Sequence, residues 1–219
     1  HGPTLDHWLE QPERPSPDTI ARLGAAMARA VHSLHQQNVC HLDLKPGNVL
    51  FSSDDHAILL DFGLSCHSHY PDLLAEELRK AVGSPAWIAP EQVVGVRGDP
   101  RSDIFAIGVM LYELATGELP FGAPTTSGGM RQRLWMTPAP PRKHRADIPP
   151  WLQEVILRCL EPEAASRYPS AAHLAFDLSN PEQVLITERG ERTERTPLRT
   201  HLRRWLRAAG MHYTPSPLP

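Results

Sequence analysis

The sequence predicts a mainly α-helical body carrying one small β hairpin, and three observations predict it. Ile20, Leu23, Met27, Val31 and Leu34 recur every three or four residues behind Pro17-Asp18, the signature of a helix that buries one face. Val49-Leu50-Phe51 and Ala57-Ile58-Leu59-Leu60 are short apolar runs on either side of Asp54-Asp55, a pattern for two strands joined by a tight turn. Proline-rich connectors, such as residues 138–141, separate further stretches with helical spacing.

Taken in order, the first helix should run over residues 17–38 and the hairpin over 49–60. Further helices should cover residues 102–116, 151–160 and 170–178. The stretch from Asp72 to Lys80 is also helix-like. In the tail, Leu198, Leu202, Trp205 and Leu206 share one helical face among Arg199, Arg203, Arg204 and Arg207, with Gly210 as its cap and a proline-rich linker over residues 214–219.

Composition narrows the class. A chain of 219 residues with 41% hydrophobic content can bury a sizeable core. No apolar run approaches the roughly 18 residues a membrane helix needs, so no membrane segment is expected. Residues 1–180 hold 15 Lys+Arg against 21 Asp+Glu, and residues 181–219 hold 7 against 4, so net charge changes from −6 to +3. A +3 tail suits a docking helix or connector better than a nucleic-acid surface. Cys40, Cys66 and Cys159 are odd in number and show no Cys-x-x-Cys spacing, which fits a reducing, cytoplasmic setting. Cys66-His67-Ser68-His69 and the His32/His35 pair lack the spacing of a four-ligand zinc site.

The chemistry is concentrated in His41-Leu42-Asp43-Leu44-Lys45-Pro46-Gly47-Asn48-Val49-Leu50, followed thirteen residues after Asn48 by Asp61-Phe62-Gly63. If Pro46 and Gly47 turn the chain, Asn48 returns beside Asp43, and antiparallel pairing of the hairpin sets Asp61 next to Asn48. Two oxygen ligands, a carboxylate base and a cation are then available together, the set that phosphoryl transfer from a nucleotide requires.

These segments resemble the catalytic loop and the metal-binding motif of the protein kinase family, in its bacterial serine/threonine type. The resemblance continues through Gly83-Ser84-Pro85-Ala86-Trp87-Ile88-Ala89-Pro90-Glu91, through Ser102-Asp103-Ile104-Phe105-Ala106-Ile107-Gly108, and to Arg167 in Glu163-Ala164-Ala165-Ser166-Arg167-Tyr168. It covers roughly residues 1–178 in the family's order. What it implies is the C-terminal lobe of the kinase-like α+β fold over residues 1–178. Residues 179–219 would then be a basic amphipathic helix and proline-rich linker leading to a further fused C-terminal domain.

The resemblance implies a role for each residue. Asp43, Lys45 and Ser84 are the catalytic group, with Asp43 accepting the substrate hydroxyl proton, Lys45 offsetting charge on the γ-phosphoryl, and Ser84 bridging the two and selecting a Ser/Thr acceptor. Lys45, Asn48, Leu50 and Asp61 line the nucleotide, and Asn48 and Asp61 hold Mg²⁺. ATP and Mg²⁺ are the expected cofactors, and a protein bearing Ser or Thr is the expected substrate. His41 and Phe62 are packing residues stacked in the core, Asp103 braces the catalytic loop, and Glu91 pairs with Arg167.

Two departures qualify this picture. No Gly-x-Gly-x-x-Gly and no Val-Ala-Ile-Lys-like strand occurs, so the small lobe is expected to be missing, the chain to be a fragment, and the fragment to be inactive by itself. Leu42 stands where the family often has an arginine that receives an activation-loop phosphate, and residues 65–82 offer Ser65, Ser68 and Tyr70 but no threonine. Regulation independent of a loop phosphate follows. The alternative from another class is a pseudokinase scaffold that binds partners near residues 130–135 without phosphate transfer. A small-molecule phosphotransferase is disfavoured by the Ala-Pro-Glu segment and Ser84.

Overall fold

A computed structural model describes residues 2–52, 56–72, 74 and 83–190. Its helices are α1 (Leu5–Leu9), α2 (Pro17–His35), α3 (Pro90–Val93), α4 (Arg101–Thr116), α5 (Ser127–Arg131), α6 (Pro141–His144), α7 (Pro150–Cys159) and α8 (Ala171–Ser179). Strands β1 (Val39–Cys40), β2 (Val49–Phe51), β3 (Ala57–Leu59) and β4 (Cys66–His67) form two antiparallel two-stranded sheets, β1 with β4 and β2 with β3. The fold is helical with small antiparallel sheets, as the apolar spacing predicts.

Helix α2 begins where its sequence provides a stop for the chain. The Ser16 hydroxyl accepts the Thr19 N–H at 3.2 Å, and Pro17 occupies the first helical position, where its missing N–H costs nothing. Ile20, Leu23, Met27 and Val31 are sealed from solvent. Each such aliphatic side chain contributes about 1.5–3 kcal/mol on burial. Gly24 lies among them, and a Cβ there would sit 2.7 Å from Leu111 Cδ2, so the glycine is what lets α2 close on α4. The helix ends at His35, three residues short of the expected Asn38, which instead turns the chain with φ 60°.

Helix α4 is buried on almost every side and stops at Gly117 in the left-handed conformation. It packs against α2 and α7, and α8 closes on α2, giving one core shared by these four helices. The other long helices begin or end within a residue of their sequence-predicted limits. The expected strand over 57–60 ends at Leu59, although the Leu60 N–H still donates to the Asn48 carbonyl at 2.9 Å.

The β1–β4 sheet is not foreseen by the sequence reading, because two-residue strands leave no periodicity to detect. The packed body also continues beyond residue 178. The Thr187 hydroxyl donates to Glu154 at 2.8 Å, and the Arg189 guanidinium reaches Glu154 and, at 2.9 Å, Glu161. The expected turn at 54–55, most of the helix-like stretch over 72–80, and the tail helix and linker all fall outside the described residues. Among the described residues no helix is long and apolar enough to cross a membrane.

Candidate active site

The loop after β1 is held in place by one buried carboxylate. Asp103, at the start of α4, accepts the His41 N–H on Oδ2 at 2.9 Å and the Leu42 N–H on Oδ1 at 2.8 Å. His35 from the end of α2 reaches the same Oδ2 at 2.8 Å. This grip is needed because Leu42 has φ 64°, a left-handed conformation that costs a non-glycine residue about 1–2 kcal/mol. Its carbonyl is tied as well, accepting from Gln92 Nε2 at 2.8 Å. Strain at this one residue aims Asp43 out of the core while the Leu42 side chain stays buried.

His41 joins the loop to the hairpin. Its Nε2 lies 3.0 Å from the Leu60 carbonyl, which can only accept, so the ring proton belongs on Nε2. Nδ1 is then free to accept the Asp43 N–H at 3.4 Å. The ring is fully buried, as expected, and lies against Phe62 with centroids 5.0 Å apart and the ring planes tilted by 46°. Phe62 itself differs from expectation: it is 46% exposed and lies at the edge of the core. Ile58 and Leu60, from the neighbouring strand segment, are exposed large hydrophobic side chains as well.

Around Asp43 the predicted groups converge. Its Oδ1 accepts the Ser84 backbone N–H at 2.7 Å, and Lys45 Nζ stands 3.5 Å from Oδ2. Asn48 donates from Nδ2 to the Asp43 carbonyl at 3.0 Å, closing the turn made by Pro46 and Gly47. The contact that ties Ser84 to the aspartate therefore runs through its main chain. Gly83 has φ 135°, a conformation that side-chain-bearing residues rarely adopt, so glycine lets the backbone turn as it leads into Ser84.

Asp61 reaches the site by register. Val49 pairs with Leu59 and Asn48 with Leu60, which leaves Asp61 as the next residue beyond Asn48 on the exposed side. It has φ 63°, and its Oδ1 accepts the Gly63 N–H at 3.2 Å. Leu50 is half-buried in β2, opposite Ile58 and bridged to Thr4. Asn48 has its amide nitrogen committed to Asp43, so its oxygen is the end available to a cation, and the Asp61 carboxylate is open to solvent. Both are hard oxygen donors, the ligand type that suits Mg²⁺.

The segment carrying Ser84 is anchored from behind by two arginines. Arg167 meets Glu91 through paired bonds of 2.7 and 2.9 Å, both side chains being essentially inaccessible, and Ser102 Oγ adds a bond to Glu91 at 2.6 Å. Arg133 has no counterpart in the sequence reading beyond the region 130–135. It is fully buried and donates to the carbonyls of Pro85 at 2.8 Å, Ala86 at 3.4 Å and Ile88, with Nε on the Met130 carbonyl at 3.0 Å. Burial without a carboxylate pulls its guanidinium down to about 10. The sequence offers little advance signal, since Arg133 stands beside Arg131 and Gln132 and only Leu134, Trp135 and Met136 after it are apolar.

A further grouping, His35, Cys40 and Asp103, brings metal-type ligand atoms within 4.8 Å of one another. The Asp103 oxygens there already receive His35, His41 and Leu42, so the clustering is accounted for by bracing of the loop.

Comparison with known proteins agrees with this geometry. A family model described as protein kinase domain matches residues 1–177. A probable serine/threonine-protein kinase of Clostridium acetobutylicum is 31% identical over 88% of this chain and 29% of its own length. The serine/threonine-protein kinase PkaA of Streptomyces coelicolor is 36% identical over 81% of this chain and 32% of its own. For Pkn3 of Myxococcus xanthus, also a serine/threonine-protein kinase, identity is 34% over 73% and 30%. The chain thus spans about three tenths of the length of these relatives. With the braced loop, the Asp43 cluster and the Glu91 to Arg167 pair in the same order as that family's motifs, the chain belongs to the protein kinase domain family.

Proposed function

We propose that this chain provides the catalytic lobe for ATP-dependent phosphorylation of serine and threonine hydroxyls in a protein substrate. The observation that supports it most is the setting of Asp43, with Oδ1 on the Ser84 N–H, Oδ2 beside Lys45, and its carbonyl clamped by Asn48. In this reading Asp43 orients the acceptor hydroxyl and takes its proton, and Lys45 balances negative charge on the phosphoryl group being transferred. Asn48 and Asp61 would hold Mg²⁺, which when bound offsets the phosphate charge. Leu50 lines the nucleotide side. A preference for Ser/Thr rests on Lys45 and Ser84.

The lobe that covers the nucleotide phosphates is proposed to come from outside these 219 residues. Support for this lies in the missing glycine-rich loop and in the exposure of the apolar side chains Ile58, Leu60 and Phe62. Regulation without a loop phosphate is supported by Leu42, which is buried and uncharged where a phosphate would need a cation. Residues 179–219 are proposed to connect to a further domain, and the setting to be cytoplasmic.

In the full-length protein, Asp43→Ala should lower phosphate transfer from ATP to a Ser/Thr peptide by about 10²–10⁴-fold. Retained turnover in a folded Asp43→Ala protein would refute the assignment and favour a scaffold. The 219-residue chain alone should show no transfer; radiolabel incorporation by it would refute the divided-lobe reading.

A further inference from the structure

The sequence places Cys40 and Cys66 far apart, with no motif to link them. The fold sets them opposite each other: β1 and β4 run antiparallel with Val39 facing His67 and Cys40 facing Cys66, and the Ser68 N–H continues the ladder to the Asn38 carbonyl at 2.9 Å. Facing residues in an antiparallel pair have Cα atoms about 4.5–5.5 Å apart. A disulfide asks for about 4.4–6.8 Å, so facing positions of this kind lie within bridging range. Both sulfurs also meet the same residue. Cys40 Sγ donates to the Gly98 carbonyl at 3.6 Å, and a Cβ on Gly98 would lie 3.5 Å from Cys66 Sγ.

We propose that Cys40 and Cys66 form a redox modification site, which a peroxide converts into an intramolecular disulfide linking the strand before the Asp43 loop to the strand after the Asp61 turn.

The two thiols are unequal in a way that suits this chemistry. Cys40 is buried at 6% exposure and Cys66 is half-buried. The adjacent Cys40 sulfur lowers the Cys66 thiol from its ordinary value, with Arg97 assisting, against the opposing effects of burial and Asp72. The same closeness of the two sulfurs, and then burial, push Cys40 up. Cys66 is therefore the nucleophile, and Cys40 the resolving thiol that keeps its proton until needed.

In the first step Cys66 sulfur attacks the peroxide, the O–O bond breaks, and one oxygen goes to sulfur as a sulfenic acid. The second oxygen leaves as hydroxide and takes up the thiol proton as water. Cys40 sulfur then attacks Cys66 sulfur, the S–O bond breaks, and the hydroxyl leaves with the Cys40 proton as a second water. Two thiols and one peroxide give one disulfide and two waters. The ring so closed, residues 40–66, contains Asp43, Lys45, Asn48 and Asp61. Cys159 is an internal control, being wholly buried in the core and pushed up to about 12 chiefly by that burial.

The test treats the folded 219-residue chain with hydrogen peroxide at neutral pH, blocks remaining thiols with N-ethylmaleimide, and maps cysteines by mass spectrometry. The expected product is a Cys40–Cys66 linked peptide pair two hydrogens lighter than the thiols and restored by dithiothreitol, with Cys159 still labelled after denaturation. Cys66→Ser should leave Cys40 reduced. Cys40→Ser should leave a Cys66 sulfenic acid that dimedone captures. In urea the link should form at least about tenfold more slowly, because orientation is lost. The proposal is overturned if Cys66 proceeds to sulfinic acid while Cys40 stays free, if the links join separate chains in an isotope-mixing experiment, or if urea leaves the rate unchanged.

Discussion

Replacing Glu91 by Gln isolates what the buried ion pair contributes. Glu91 and Arg167 are 3% and 2% exposed, so neither charge can be rehydrated without opening the lobe. The substitution removes the charge from two bonds of 2.7 and 2.9 Å, and bonds to charged groups contribute about 1.5–3 kcal/mol each. Arg167 keeps the carbonyls of Glu161, Arg101 and Pro162, at 2.8, 2.9 and 3.1 Å, and the Phe105 ring at 4.9 Å, so part of its solvation survives. A loss of about 3 kcal/mol is expected, at the low end of the roughly 3–5 kcal/mol typical of breaking a buried pair. At about 2–4 °C per kcal/mol that is roughly 6–12 °C in Tm.

The assay is urea unfolding followed by far-ultraviolet circular dichroism, with midpoint and m-value both fitted. The double variant Glu91→Met with Arg167→Met should lose less than the sum of the single losses, by about 2 kcal/mol, because no charge is left stranded. Asp147→Asn, at the exposed end of the Arg145 pair, should leave the midpoint unmoved. A Glu91→Gln loss below about 1 kcal/mol, or additive single and double variants, would show that the pair behaves as a surface contact and would refute the argument.

Two further variants examine the same lobe. Arg133→Met should free the carbonyls of Pro85, Ala86 and Ile88, raising amide exchange at Ser84 and KM for peptide substrate more than it lowers kcat; an unchanged exchange pattern would show that the segment is held elsewhere. Glu113 is raised from 4.5 first by burial, with the Trp87 indole N–H pulling the other way. Its folded value exceeds its unfolded value, so its contribution is fully present below about pH 4.5 and is lost as pH rises through the folded value. Glu113→Gln should therefore raise the urea midpoint at neutral pH and leave it unchanged at low pH, and an equal gain at both would refute the burial explanation.

The spacing of Asp43, Lys45 and Asn48 determined a turn that returns on itself, because proline and glycine leave the backbone few alternatives, and the structure closes that turn with Asn48 on the Asp43 carbonyl. The hairpin itself was legible from its two apolar runs, but its register was not: a two-residue turn at 54–55 would set Asp61 opposite Asn48, whereas Val49 faces Leu59 and it is the Leu60 N–H that donates to the Asn48 carbonyl. The long helices were legible because α2 and α4 each bury enough apolar side chains to leave a clear pattern. Contacts that depend on a third element were not. Phe62 reads as a core aromatic from its motif, but how far it is covered depends on what packs above His41.

Arg133 and the Cys40 to Cys66 pairing show the same limit. A buried cation solvated by carbonyls from a distant loop, and two thiols matched by a two-residue sheet, arise from where the turn after α5 and strand β4 come to rest. No local periodicity records either. The sequence by itself determined the chemistry available, since residue types and short-range turns decide which groups can share a loop. The tertiary structure decided how that loop is held: Leu42 stays in a strained conformation because Asp103, sixty-one residues away, accepts its N–H and Gln92 donates to its carbonyl.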